Sequence, residues 1–237
     1  MTNIAHLQFP NEDATYRTAR NALLEQEMEL RRKVEQVAAM RRALPPGGVI
    51  KEDYRFFGEN GPVKLSELFQ GGKDTLALYS FMFGPERESP CPGCTHFLDG
   101  LDGQVRHIDQ RLNFYIVARS PLPRILDFAK QRPWPQLHFL STDGNSYDED
   151  YFGEAAKLSP AVRKQQDFKD GKISEMPILN VFKREGNTIR HTWGSELLYV
   201  PPEPGQEYRH NDMMDPLWNI LDTTPEGRGN FHPKLSY

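Results

Sequence analysis

Cysteine is nearly missing from this chain: Cys91 and Cys94 are the only two in 237 residues. Two cysteines cannot staple a chain of this length, so a disulfide scaffold is excluded. A second Cys-x-x-Cys is absent, which argues against a zinc ribbon. His96, His107 and His191 stand at no recognisable ligand spacing, and no metal or other cofactor is expected. No apolar run approaches the roughly 20 residues of a membrane span. Basic residues are not in excess either. The 29 Lys and Arg face 33 Asp and Glu, for a net charge of −4, and nothing invites nucleic acid or an anionic membrane surface. The first residues lack a basic region followed by an apolar one, so a secretory signal is not expected and a cytoplasmic location is. No internal repeat is visible. The mean hydropathy of −0.67 describes a water-facing chain long enough to bury one full-sized core.

Glycine and proline are also missing from residues 11–44, a charged stretch of good helix formers. Tyr16, Leu23, Leu30, Val37 and Leu44 recur every seven residues, while Ala19, Gln26, Lys33 and Met40 make the rest of the seam mixed. One long amphipathic helix is expected, packed on the body or on a second copy of the chain, which makes a homodimer the expected assembly. Pro45-Pro-Gly-Gly48 ends it, so residues 1–46 read as a helical extension and 47–237 as the main domain. A strand or hairpin is expected around Tyr54–Phe69, with Ser66 capping a short helix that Gly71-Gly72 ends. Asp74–Phe83 reads as a buried strand, Asn113–Ala118 as a second and Leu137–Ser141 as a third, with helix-like spacing over Leu122–Gln131. Residues 142–172, rich in Asp, Gly, Asn and Lys, read as a surface insertion with one helical turn around 160–166. A hairpin follows over Pro177–Lys183 and Thr188–Trp193, then a proline-rich linker, a short helix at 212–221 and a turn-rich tail. Strands alternate with helices before the final hairpin, which makes the class α/β with a mixed central sheet.

The chemistry concentrates at Cys91-Pro-Gly-Cys94. The residues after it, Phe97, Leu101, Val105, Ile108 and Leu112, keep helical spacing, so the pair opens a helix. Free N–H groups and the positive dipole end at a helix start stabilise a thiolate. Cys91 is expected to attack and Cys94, one turn further in, to resolve the mixed disulfide. Pro92 suits the first turn, where a missing N–H is harmless. His96 is a candidate for proton transfer, because histidine titrates near neutrality. Glu86, Arg87 and Glu88 read as a solvated loop, and Asp148, Glu149 and Asp150 as a solvated acidic turn without the spacing of a calcium loop.

Leu65-Ser-Glu-Leu-Phe69, Tyr79-Ser-Phe-Met-Phe-Gly84, Cys91-Pro-Gly-Cys-Thr-His-Phe-Leu-Asp99, Asn113–Pro121 and Thr224-Pro-Glu-Gly-Arg228 together resemble a bacterial family of thioredoxin-like proteins of unknown function, related to the thioredoxin and peroxiredoxin superfamily. The resemblance implies a thioredoxin-like fold with an added N-terminal helix and an extended C-terminal tail, and a redox pair at Cys91 and Cys94. In such folds a proline at the position of Pro177 is cis and sets the backbone of the preceding residue beside the reactive sulfur. Met176 and Pro177 are therefore the expected substrate-positioning residues. The peroxiredoxin pattern P-x-x-x-[TS]-x-x-C does not fit. Its threonine or serine falls in Arg87-Glu88 counted from Cys91, and on Cys91 counted from Cys94. The expected activity is thiol–disulfide exchange with a protein or small-molecule disulfide or thiol. A non-catalytic assembly protein on the same scaffold is the alternative, and a metal-binding module a third.

Overall fold

Along Thr75–Ser80 the side chains alternate between two cores, and this strand organises the molecule. Ala77 and Tyr79 face one apolar cluster, Leu76 and Leu78 the other, as the two-residue repeat of a strand buried on both faces requires. The computed structural model describes residues 7–165, 175–206, 214–227 and 229–236. It divides the chain into two compact units, Met1–Pro45 and Pro46–Tyr237.

In the first unit the expected long helix is α1, Ala14–Arg42. Asp13 caps it by accepting the Tyr16 N–H at 2.7 Å, and Arg41 and Arg42 sit in the last turn, where cations suit the negative end of the helix dipole. None of its residues is buried, and Tyr16, Leu23 and Leu30 of the heptad seam are about half exposed.

The second unit begins with the hairpin β1 (Arg55–Gly58) and β2 (Gly61–Lys64), then a 3₁₀ turn at Leu65–Leu68 that buries both leucines. Ser66 does not cap this turn. Its hydroxyl donates to Asp53 Oδ2 at 2.8 Å, while Glu67 accepts the Lys64 N–H at 2.7 Å. The remaining elements are β3 (Thr75–Ser80), α2 (Pro92–Ile108), β4 (Asn113–Ala118), α3 (Leu122–Ala129) and β5 (Phe139–Ser141). They are followed by α4 (Tyr147–Asp150), α5 (Pro160–Gln165), β6 (Leu179–Glu185), β7 (Thr188–Gly194) and α6 (Pro216–Leu221).

The described strands form one sheet in the order β2-β1-β5-β4-β3-β6-β7. β3, β4 and β5 run parallel, joined by α2 and α3, while β6 is antiparallel to β3 and β7 to β6. A strand, a cysteine-bearing helix, a parallel strand and a closing antiparallel hairpin make the mixed α/β, thioredoxin-like fold. Gly186, at φ 59°, supplies the left-handed residue of the β6–β7 turn.

Three departures from expectation bear on function. The buried strand ends at Ser80 rather than at residue 83. From there the chain leaves the ladder, with the Ser80 N–H on the Ile178 carbonyl, the Phe81 N–H on that of Val117 and the Ser120 N–H on that of Phe83. Phe81 and Phe83 stay in the core as they turn toward the cysteines. Next, residues 142–165 are not merely a surface excursion, because Tyr147 plugs the second core against Tyr54, Phe56 and Phe182. Polar composition concealed one large aromatic in the right place; residues 166–172 of that stretch lie outside the described residues. Within the acidic turn Asp148 is buried, while Glu149 is exposed as expected. Residues 212 and 213 of the expected tail helix also lie outside the described residues.

Candidate functional site

Cys91 is the N-cap residue of α2, in an extended conformation (φ −62°, ψ 124°), with Pro92 at the first helical position. Its N–H donates to the Met82 carbonyl at 3.0 Å, and its carbonyl accepts from the Thr95 N–H (3.0 Å) and hydroxyl (2.9 Å). Those bonds fix where its sulfur points. Cys91 is partly exposed, while Cys94 is fully buried in the cluster between β3 and α2; both are free thiols.

The two sulfurs have opposite electrostatics. Cys94 donates its S–H to Cys91, and the N–H groups of Cys94 and Gly93 and the charge of Arg87 add to this. Against the burial penalty they lower the Cys91 thiol to about 6. Burial first, then the hydrogen bond to Cys91, push the Cys94 thiol well up. One thiol is therefore primed and its neighbour held protonated beneath it.

The loop before Cys91 is exposed as expected, yet it is fastened at several points. Arg124 of α3 donates to the carbonyls of Gly84 (2.9 Å), Arg87 and Glu88 (3.3 Å) and to Ser120 Oγ (2.9 Å), with its guanidinium 4.3 Å from the Phe83 ring centroid. Arg87 Nε donates to Glu175 Oε2 at 2.6 Å, and Glu86 pairs with Arg119 at 3.2 Å. Gly84 also donates its N–H to Glu175. A Cβ on Gly84 would lie 2.7 Å from Glu175 Oε1, so any larger residue would have to displace the Glu175 carboxylate. Behind this loop lie Asp148, Glu154 and Glu175. Glu154 meets Arg119 at 3.3 Å, and Asp148 accepts from the Thr142 hydroxyl. Burial raises the Asp148 carboxyl to about 6 and also raises that of Glu175, against the pull of Arg87.

The residues expected at the site meet different fates. Cys91 and Cys94 come together. Met176–Pro177 does not take the expected form: no cis peptide occurs among the described residues, and Met176 packs with Ile178 and Leu198. The Ser80 N–H on Ile178 O, the Met176 N–H on Gly153 O and the β-bridge between Glu154 and Glu175 already set this backbone with an ordinary trans proline. The residue of this stretch that faces the cysteine loop is Glu175. His96 lies on the helix face turned to the C-terminal segment, with Nε2 2.6 Å from Asp215 Oδ2 and its ring against Trp218. His107 is exposed and His191 bonds to Asn180 at 2.9 Å. No group of three or more His, Cys, Asp or Glu side chains able to hold a metal occurs among the described residues. Sequence reasoning missed Glu175 and Arg124, because neither left a local signal.

The sheet order and a Cys-x-x-Cys pair at the start of the helix after the central strand define a thioredoxin-like protein. The chain belongs to a bacterial family described as proteins of unknown function, DUF899, whose family model matches residues 7–236. No curated protein matches it. Among solved structures it is similar to peroxiredoxin Q of Xanthomonas campestris, with 12% identity, 62% of this chain and 83% of that one covered, and a TM-score of 0.42. It is also similar to peroxidoxin BcpB of Mycobacterium tuberculosis (16% identity, 63% and 86% covered, TM-score 0.41). The exposed lipoprotein thioredoxin Etrx1 of Streptococcus pneumoniae is a third (12%, 71% and 98%, 0.36). No described helix is long and apolar enough to cross a membrane.

Proposed function

We propose that this protein is a thiol–disulfide oxidoreductase acting through Cys91 and Cys94. The observation that carries the reading is a partly exposed sulfur at a helix N-cap, its thiol lowered to about 6, with a second thiol bonded to it from below. The Cys91 thiolate attacks one sulfur of a substrate disulfide, forming a mixed disulfide and releasing the other sulfur as a thiolate. Cys94 loses its proton and attacks Cys91 Sγ, so the second substrate sulfur leaves and the pair is oxidised by two electrons. A thiol or dithiol reductant returns both cysteines to the reduced state by the reverse chemistry. Glu175, next to Met176 and Pro177, serves the substrate side by holding Arg87. A lone Cys-x-x-Cys pair in a chain with no other cysteine suits a reducing, cytoplasmic compartment. The exposed heptad residues of α1 support pairing with a second copy of the chain, for which light scattering at micromolar concentration should give twice the chain mass.

The test is reduction of a protein disulfide such as insulin by wild type, Cys91→Ser and Cys94→Ser. Wild type is expected to turn over. The Cys91 variant should be inactive, and the Cys94 variant should stall as a mixed disulfide visible by mass spectrometry. Inertness of wild-type Cys91 toward disulfides in the folded protein would leave the non-catalytic reading.

A further inference from the structure

The apolar stripe of α1 reads the same from either end. Its residues recur every seven positions and are symmetric about Leu30, so that Leu23 mirrors Val37 and Tyr16 mirrors Leu44. No residue of α1 is buried, and Tyr16, Leu23, Leu30 and Leu44 are each about half exposed. A face with this repeat fits a second helix of the same kind. Charge decides which way the two can lie. Lys33 sits in the seam, and in a parallel pair in register each seam residue meets its own copy. Lys33 would then face the partner's Lys33. The half after Leu30 adds to that repulsion, because Arg31, Arg41 and Arg42 outnumber Glu35, while Arg32 is held by Glu29 at 2.6 Å. Turned end for end about Leu30, the helices bring Lys33 level with the partner's Gln26 and Glu29 on one edge. The basic half then lies along the half that carries Glu25, Glu27 and Glu29 and is capped by Asp13. On the other edge Arg20 comes level with the partner's Arg41, but Glu27 already pairs with Arg20 at 3.1 Å.

We infer that two copies of this chain pair antiparallel through α1, with Leu30 on the two-fold axis and Lys33 barring the parallel arrangement. This rests on the pairing reading above and is separate from the redox chemistry. Each copy uses the same stripe, so the contact is self-complementary and closes at two chains. Leu30 meets the partner's Leu30, Leu23 the partner's Val37, and Tyr16 the partner's Leu44. The two Arg42 ends, from which each chain runs on into its main domain, leave the pair in opposite directions.

The test uses the full chain with Cys91→Ser and Cys94→Ser, which leaves no native thiol, and with a nitroxide label on Thr18→Cys. Position 18 is exposed and off the stripe, so the label leaves the contact intact. Double electron–electron resonance on the dimer should give one distance of about 40 Å, set by the rise from residue 18 to residue 30 counted twice and by the spacing of packed helices. A distance of about 20 Å, that of labels level with each other on a parallel pair, overturns the inference. Lys33→Leu removes the bar, and the short distance should then appear beside the long one. An unchanged single distance in that variant overturns the role given to Lys33. Leu30→Glu sets two carboxylates together at the axis, and light scattering should return the mass of one chain. A variant that stays paired overturns pairing through α1. A monomeric wild type instead overturns the pairing reading itself, whereas a dimer with the short distance overturns only the orientation.

Discussion

At the scale of single residues, the function reduces to how one sulfur differs from another three positions along. A cysteine thiol near its ordinary ~8.5 is mostly protonated at neutral pH. Cys91, at about 6, is mostly thiolate there, and its largest stabiliser is the S–H of Cys94 rather than any formal cation. The rate of Cys91 alkylation by iodoacetamide should therefore rise through a midpoint near pH 6 and level off above it. Cys94→Ala removes the leading donor, so its midpoint should climb toward the free-cysteine value. Cys94→Ser, which keeps a hydroxyl donor, should fall between the two. Coincident profiles for all three proteins would mean that the helix N–H groups and Arg87 prime Cys91 by themselves. A thiol lowered by folding also links stability to pH: the contribution is present above the unfolded value and is lost as pH falls through about 6.

Elements add what no single residue supplies, a fixed approach to the sulfur. The loop over residues 84–90 has no regular structure of its own, and α3 holds it through Arg124, whose guanidinium gathers backbone carbonyls from Gly84, Arg87 and Glu88. Arg124→Met keeps much of the packing on Phe83 but removes the guanidinium from those carbonyls, leaving that of Gly84 with the Arg87 N–H alone. Loss of such charge-assisted bonds should destabilise the protein by about 2 kcal/mol. Hydrogen exchange at residues 84–91 should quicken more than in β3 or β4, and Cys91 alkylation at pH 7 should slow. Uniform loss of protection across the sheet would instead assign Arg124 to global stability. The sequence announced the elements on both sides of this loop because their periodicities are local: Leu76-Ala-Leu-Tyr79 in an apolar run, and Phe97, Leu101 and Val105 at helical spacing. It could not announce the clasp. Arg124 and Glu88 are 36 positions apart and Arg87 and Glu175 are 88 apart, and no local pattern marks such pairs. The Cys-x-x-Cys pair was legible for the opposite reason, since both partners and the helix that primes them lie within one short stretch.

The whole molecule carries one feature that composition concealed: a carboxylate buried behind the active loop. The run Asp148-Glu149-Asp150 reads as solvent-facing, yet the packing of Tyr147 into the second core buries Asp148 beside it, where only tertiary structure could place it. Its neighbours are the Thr142 hydroxyl, Ser80 Oγ at 3.5 Å, the charge of Arg119 and the repelling carboxylates of Glu175 and Glu154. Burial outweighs the stabilising contacts, and the carboxyl rises from 3.8 to about 6. Between those values the native chain binds a proton that the unfolded chain has released. Stability from this group is therefore full below about pH 4, falls as pH rises to about 6 and stays low above. Asp148→Asn carries no charge to bury at any pH. Urea unfolding of the two proteins from pH 4 to pH 8 should thus show wild type losing ground to the variant by on the order of 2–3 kcal/mol, nearly all of it before pH 7. The remaining carboxyls are common to both chains and cancel in the difference. Parallel stability curves would mean that Asp148 is charged in the folded protein throughout, with Arg119 rather than a proton balancing it.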